Sequence, residues 1–296
     1  MDQVLIGSVR QFNRTLTQRI GALDDSFLSR GRPLGQARVL WEISPAGTRV
    51  RALRSRLGLD SGYLSRMLRA LEAEGLVVTS ADPGDRRVRT VRLTEAGLAE
   101  RAELDRRSDE QAVAILNPLT GPQRERLAAV LDEARRLLTA SMIHVAVTDP
   151  RQPAARYCLR AYFAELSRRF DGGFDPRHSI PADDQDLTPP AGVLLVATLN
   201  GDPAGCAAVK YHGDEPAEVK RMWVSPAARG LGLGRRLLAE LEAHAATLGV
   251  RTLRLETNQA LTEAIGLYRS AGYREVAAFS QEHYAHHWFE KTLGPA

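Results

Sequence analysis

RMWVSPAARGLGLGRRLLAELEAHA, residues 221–245, places Gly230, Gly232 and Gly234 two apart between an apolar run and a segment of helical periodicity. Glycine loops of this kind let backbone N–H groups converge on phosphate, and spacing separates the kinds. A dinucleotide turn needs G-x-G-x-x-G and a mononucleotide loop needs G-x-x-x-x-G-K-[ST]. The G-x-G-x-G of this loop meets neither. The segment behind it, apolar at Leu237, Leu238, Leu241 and Leu248, is a helix whose positive N-terminal end would add to the pull on an anion. Arg229, Arg235 and Arg236 supply formal charge beside it.

Working outward, AEVKRMWVSP upstream reads as a strand ending at Pro226, and VRTLRLETN downstream as another. ALTEAIGLYRSAGYRE then has the spacing of a helix. From about residue 155 the elements run helix, strand, strand, strand, helix, strand, helix, strand, an α/β or α+β order. The first part reads as mostly helix with one hairpin at Leu76–Leu93. Two prolines in VTDPRQPAA, Val147 to Ala155, break the helical patterns on either side. This predicts two domains, 1–147 and 155–296, joined by a linker at 148–154, as a length of 296 residues would favour.

Composition is that of a globular protein, 44% hydrophobic and 26% charged. The longest uncharged run, Leu187 to Gly201, is interrupted by Pro189 and Pro190 and is too short to span a bilayer. Charges in MDQVLIGSVRQFNRTL are unlike a secretory leader, so a cytoplasmic address is expected. Cys158 and Cys206 form no CxxC pair and are expected to be reduced and buried. The net charge of +4 is unevenly spread: residues 1–147 hold 23 arginines against 18 carboxylates, and 148–296 hold 17 basic residues against 18. Residues 49–92, with 10 arginines and 5 carboxylates, account for the whole excess of the first half. Such a concentration suits a phosphate backbone.

In that basic stretch Thr48 is expected to cap a helix with Val50, Leu53 and Leu57 inside, stopped by Gly58. A second helix opens at Ser61, buries Leu64, Met67, Leu68 and Leu71, and ends at Gly75. Its other face carries Ser61, Gly62, Ser65, Arg66 and Arg69, with Tyr63 at the flank. Small residues allow close approach to base edges, and arginines reach guanine or phosphate. LVVTSADPGDRRVRTVRLT then forms a hairpin with Arg86 and Arg87 at its tip, suited to the DNA backbone or minor groove.

This first half resembles the MarR family of winged helix-turn-helix regulators, whose DxxDRRxxxVxLTxxG signature is matched by Asp82, Asp85, Arg86, Arg87, Val91, Leu93, Thr94 and Gly97. The resemblance implies an all-α winged domain that dimerises through its terminal helices. The apolar periodicity of VLIGSVRQF and of Leu127 to Leu138 suits that packing. A dimer would set two recognition helices about 34–36 Å apart on a near-palindromic double-stranded DNA site, and the protein would be nucleoid-associated when bound. A winged helix kept only as a dimerisation scaffold is the alternative.

The second half resembles the GNAT acyltransferase superfamily. Arg229, Gly232 and Gly234 match its R-x-x-G-x-G motif, and the strand ending near Asn258, followed by Tyr268 before Gly272-Tyr273, matches its second signature. The resemblance implies a mixed, mainly antiparallel sheet and acetyl-CoA as cosubstrate. Arg229, Gly230, Leu231, Gly232, Gly234 and Arg235 would bind the coenzyme diphosphate, with Asn258 and Tyr268 also on the coenzyme. The backbone of Met222 and Val224 would hold pantetheine and the thioester oxygen, a form of prepositioned donor that stabilises developing charge. Tyr268 matches the family's general acid. For the base, Glu218 stands where some histone-type members keep a catalytic glutamate; Glu256 and a water chain are the alternatives.

The acceptor pocket is expected to involve Phe170, Phe174, Trp223, Glu256 and His286. The adjacent His286 and His287 on a final strand would point to opposite faces, so no metal site is expected. A small amine is favoured over a protein lysine, with amino acids, drug-like amines and polyamines all open. A purely regulatory reading, in which this half senses acyl-CoA without turnover, stands beside the catalytic one.

Overall fold

A computed structural model describes residues 2–81, 84, 88–213 and 215–294. Its chain divides into two compact units, the first ending at Asp132 and the second beginning at Glu133.

The first unit opens with α1 (Gln3–Arg19) and α2 (Leu34–Glu42), followed by β1 (Thr48–Arg49), α3 (Val50–Leu57) and α4 (Ser61–Ala73). Then come β2 (Val77–Ala81), β3 (Arg89–Leu93), α5 (Glu95–Leu116) and α6 (Gly121–Ser141), the last of which crosses the division between units. The three strands form an antiparallel sheet in the order β1-β3-β2. As the spacing predicts, α4 buries Leu64, Met67, Leu68 and Leu71, and Asp60 caps it by accepting from the Tyr63 amide at 2.8 Å. Gly58 terminates α3 with φ of 62°, a left-handed conformation that a side chain would oppose. Thr48, expected as the cap of α3, lies instead in β1 opposite Val91, its hydroxyl accepting from the Ser44 amide at 2.9 Å. Arg49 therefore enters α3 with no side-chain cap.

The Leu-Thr-x-x-Gly end of the hairpin has a packing reason. Thr94 Oγ1 accepts from the Gly97 amide at 3.0 Å to cap α5, and donates to the Gly75 carbonyl at 2.6 Å. A Cβ on Gly97 would stand 1.9 Å from the Leu76 carbonyl oxygen, so no side chain fits there. By contrast α1 and α6 bury nothing: Val4, Leu5, Val9 and Phe12 on one, and Val130, Leu131, Leu137 and Leu138 on the other, are exposed.

The second unit continues with β4 (Ile143–Val147), α7 (Pro153–Arg169), β5 (Gly192–Leu199), β6 (Asp202–His212), β7 (Glu215–Val224) and α8 (Leu233–Thr247). It finishes with β8 (Thr252–Thr257), α9 (Thr262–Ser270), β9 (Arg274–Val276) and β10 (His287–Thr292). The sheet order is β4-β5-β6-β7-β8-β10-β9, antiparallel throughout except for the parallel β7–β8 pair. Residues 143–147, assigned from sequence to the first domain, are the edge strand of this sheet, with Ile143 opposite Leu199. The second unit thus begins ahead of the prolines that suggested a linker.

Alternation along β5 sorts the core. Val193, Leu195 and Ala197 pack with Leu237, Leu238 and Leu241 of α8 and with α9, whereas Leu194 and Val196 pack with Cys158 and Leu159 of α7. Each buried leucine contributes about 1.5–3 kcal/mol relative to exposure, which holds α7 and α8 on opposite faces. Two strand pairings then open the site. β7 meets β8 only at Ala217–Leu253 and Glu218–Arg254. Beyond these pairs the two strands part.

Candidate active site

The parting strands coincide with a bulge in β7. Ala208 pairs with Lys220 and Cys206 with Trp223, so Arg221 and Met222 together oppose Ala207. Arg221 takes φ of 56°, a left-handed conformation that costs a non-glycine residue about 1–3 kcal/mol unless its surroundings enforce it. The Cys206 thiol donates to the Arg221 carbonyl at 3.2 Å, helping to hold the bulge.

On one side of the gap lies a groove of about 460 Å³ lined by Met222, Trp223, Val224, Arg229, Gly230, Gly232, Gly234 and Arg235, with α7 and α9 opposite. Gly230 and Gly232 have φ of 78° and 75°, and nothing stands within 4 Å of the place either Cβ would occupy. Gly234 differs: a Cβ there would meet Leu267 at 3.2 Å, so it allows α8 to pack closely on α9. Gly232 is the N-cap of α8 and provides no side-chain acceptor, leaving the first amides of a 15-residue helix without a side-chain cap. Uncapped amides, an open glycine face and a helix dipole together fit a diphosphate.

Beyond the gap is a cavity of about 90 Å³ lined by Tyr162, Phe170, Phe174, Lys220, Glu256, Tyr268 and Tyr284, among others. Tyr162, Leu166, Met222, Leu261 and Ala264 line both it and the groove, so the two are continuous. Tyr268 is buried in the wall of the inner cavity, and no hydrogen bond reaches its hydroxyl among the described residues. Burial, with Tyr162 and Glu256 nearby, pushes this phenol well above its ordinary pKa, so it is protonated.

Lys220 and Glu256 line the cavity wall, and Glu218, which is not part of that lining, pairs with Lys220. The Lys220 ammonium, its side chain 8% exposed, pairs with Glu256 and lies 3.0 Å from Glu218. Burial opposes the Lys220 charge, but the two carboxylates outweigh it and raise its pKa. Burial likewise pushes the Glu256 carboxyl up despite Lys220, and its Oε2 is buried without a partner. For Glu218 the balance is reversed: burial pushes it up, but Lys220 and His212 outweigh that and hold it down.

The sequence of residues 157–273 matches the model of the acetyltransferase (GNAT) family, and residues 30–88 match that of the MarR family. An IAA acetyltransferase of Azospirillum brasilense is 34% identical over 134 residues, 45% of this chain and 88% of that protein. The chain belongs to the GNAT acetyltransferase family. A MarR-family segment precedes the acetyltransferase domain in the same polypeptide. A mycothiol acetyltransferase of Cellulomonas flavigena is 35% identical over 127 residues, 40% of this chain and only 35% of that protein. Among solved structures, a GNAT family acetyltransferase from Elizabethkingia anophelis with acetyl-CoA bound covers 51% of this chain and 99% of its own, at 19% identity and a TM-score of 0.38.

In the GNAT domain several residues stand elsewhere than the sequence suggested. Trp223 lines the groove, not the inner cavity, and donates to buried Glu165 at 3.0 Å. Asn258 lines the inner cavity and pins the end of β8, donating to the Tyr284 carbonyl at 2.8 Å and accepting from the Ala260 amide at 2.9 Å. Leu231 packs against the core and is not among the groove residues. His286 precedes β10, is exposed, and reaches neither cavity. Arg229 donates to both Glu165 oxygens, at 2.7 and 2.6 Å, so its charge is largely offset. Arg235 donates to Ser270 Oγ at 2.8 Å. Glu218, unlike Glu256, does not line the inner cavity.

Lys220, Glu165 and Tyr284 were missed in the sequence. Glu165 had a signal, a carboxylate beside Leu159, Tyr162 and Leu166 on the inward stripe of a helix. Lys220 had one too, since it shares a strand face with Glu218. Tyr284 lies in an irregular segment with no periodic pattern to mark it. No group of three or more potential metal ligands occurs among the described residues, and none of their helices is long and apolar enough to cross a membrane.

In the MarR-family segment, Ser61, Gly62, Tyr63, Arg66 and Arg69 are exposed on α4, with Ser65 half-buried. The Arg66 guanidinium lies 5.7 Å from the Tyr63 ring centre. Asp85, Arg86 and Arg87, the expected wing tip, and Asp82 of the signature lie outside the described residues.

Proposed function

We propose that the protein transfers the acetyl group of acetyl-CoA to the amine of a small molecule, and that its N-terminal unit binds a near-palindromic DNA site as a homodimer. The catalytic reading rests chiefly on the continuity of groove and inner cavity through the gap between β7 and β8, with Tyr268 in the wall of the inner cavity. When bound, acetyl-CoA supplies an acyl group activated as a thioester. Main-chain amides of Gly230–Arg235 would hold its diphosphate, and those of Met222 and Val224 its pantetheine arm and thioester oxygen.

An amine that is protonated at neutral pH must lose a proton before it attacks. Glu256 is the favoured acceptor of that proton, because it faces the cavity, keeps one oxygen unpartnered and has a raised pKa. Glu218 then serves as a counter-charge that keeps Lys220 protonated and fixed. Tyr268, protonated through burial, would give its proton to the departing sulfur.

Thiol release from acetyl-CoA across a panel of amines tests this reading. CoA binding without turnover on any amine would replace catalysis by sensing. Glu256→Gln is expected to lower kcat about a hundredfold or more. Because a base works deprotonated, wild-type rate should climb with pH through the raised Glu256 pKa, and that limb should vanish in the variant. Glu218→Gln should leave it in place. A Glu218→Gln enzyme that loses the limb would restore Glu218 as the base.

Exposure of Arg66 and Arg69 beside small residues on α4 supports DNA binding, and the uncovered apolar stripes of α1 and α6 support dimerisation. Arg66→Ala should weaken binding by about 1–3 kcal/mol if it reads a base, while a phosphate contact would lower the salt slope by about one. Affinity and slope both unchanged in titrations across salt would remove α4 from the DNA interface.

A further inference from the structure

A second, larger cavity opens behind the first. Its volume is about 850 Å³, against about 90 Å³ inside, and Phe174, Ser179, Ile180 and Arg221 line both. Given those sizes, the body of an acceptor must occupy the outer space while its amine enters the inner one. Arg221 stands at their junction. Its guanidinium lies 4.9 Å from the Phe163 ring centre and 5.8 Å from that of Tyr162, and donates to the Ala182 carbonyl at 3.2 Å. No carboxylate pairs with it among the described residues.

The other charges of the outer wall are mostly engaged. Arg156 pairs with Asp184 at 2.5 Å and Arg177 with Asp175 at 2.6 Å. Arg160 is a second cation without an ion pair among the described residues, and Asp183 is exposed, where water screens it. A guanidinium held rigid between aromatic rings, with donors to spare, is suited to bind a carboxylate. Its left-handed backbone, at a bulge of β7, aims this cation at the passage between the cavities.

We propose that the acceptor is an amino acid or a close analogue, whose carboxylate is bound by Arg221 at the junction while its amine enters the inner cavity beside Glu256 and Tyr268. This rests on the acetyltransferase reading and narrows it from amines in general to carboxylate-bearing ones. Phe163, Phe174 and Tyr284 make an apolar or aromatic side chain the natural companion. Phe163 and Phe174 stack with centres 5.7 Å apart.

Matched pairs test the assignment on the full-length protein: phenylalanine against 2-phenylethylamine, and leucine against 3-methylbutylamine, at saturating acetyl-CoA. A charge-assisted contact predicts that kcat/KM favours the amino acid by about tenfold to a hundredfold, mostly through KM. Phenylalanine methyl ester should behave like the amine, an arm that needs no variant. In Arg221→Asn, whose side chain tolerates the left-handed backbone, the preference should fall to parity while calorimetric acetyl-CoA affinity is kept. Equal or better use of the decarboxylated partners, an ester as good as the acid, or a preference that survives in a variant still binding acetyl-CoA, overturns the proposal and leaves the acetyltransferase reading intact. Absence of turnover with every amine removes both.

Discussion

Tyr268→Phe should lower kcat by about two to three orders of magnitude, with acetyl-CoA affinity and thermal stability almost unchanged. The exchange removes one hydroxyl and keeps the ring, so the packing of Tyr268 against Tyr273 and Phe289, with ring centres 6.0 and 5.9 Å away, persists. The hydroxyl makes no hydrogen bond among the described residues, so its loss orphans no buried partner. Because burial raises the phenol pKa, the wild-type group stays protonated across the working pH range and is a competent donor. Single-turnover kinetics with separate calorimetry would divide the two possibilities. If kcat survives the change, Tyr268 is a packing residue and the departing sulfur takes its proton from elsewhere.

A comparable loss, in binding instead of rate, is expected for Gly232→Asp. Asp tolerates positive φ better than most residues, so the loop keeps its shape. Its carboxylate would stand at the N-terminus of α8 and take up the amides that no side chain now caps. A competing anion at that point should weaken CoA binding by about 3 kcal/mol, roughly a hundredfold. Gly232→Ala, which adds bulk and strain but no charge, should cost much less. Calorimetry with CoA on both variants makes the comparison, and undiminished affinity in the Asp variant would mean that the diphosphate is not held by these amides.

Much of the site was legible in the chain because its signals are local. The glycine loop is a run of six residues whose spacing excludes other phosphate loops, and helix periodicity placed Leu64, Met67, Leu68 and Leu71 inward and Arg66 and Arg69 outward. Phe170, Phe174 and Glu256, named from sequence for the acceptor pocket, line the inner cavity together with Tyr268, named as the general acid. What escaped was set by partners distant in sequence. Residues 143–147 read as the end of the first domain because only pairing with β5, some fifty residues on, makes them part of the second sheet. Trp223 was assigned to the acceptor side because the extra residue in β7 changes the alternation of the strand after Arg221.

Sequence by itself therefore determined two units, a winged helical segment and a coenzyme-binding α/β domain, since the helix period and the turn chemistry act over a few residues. Tertiary structure alone decided which charge faces which. Lys220 sits between Glu218 and Glu256, and the carboxylate left with a free oxygen is the one on the neighbouring strand. That choice depends on where β7 and β8 separate and on how far each group is withdrawn from water, and both are properties of packing across the sheet.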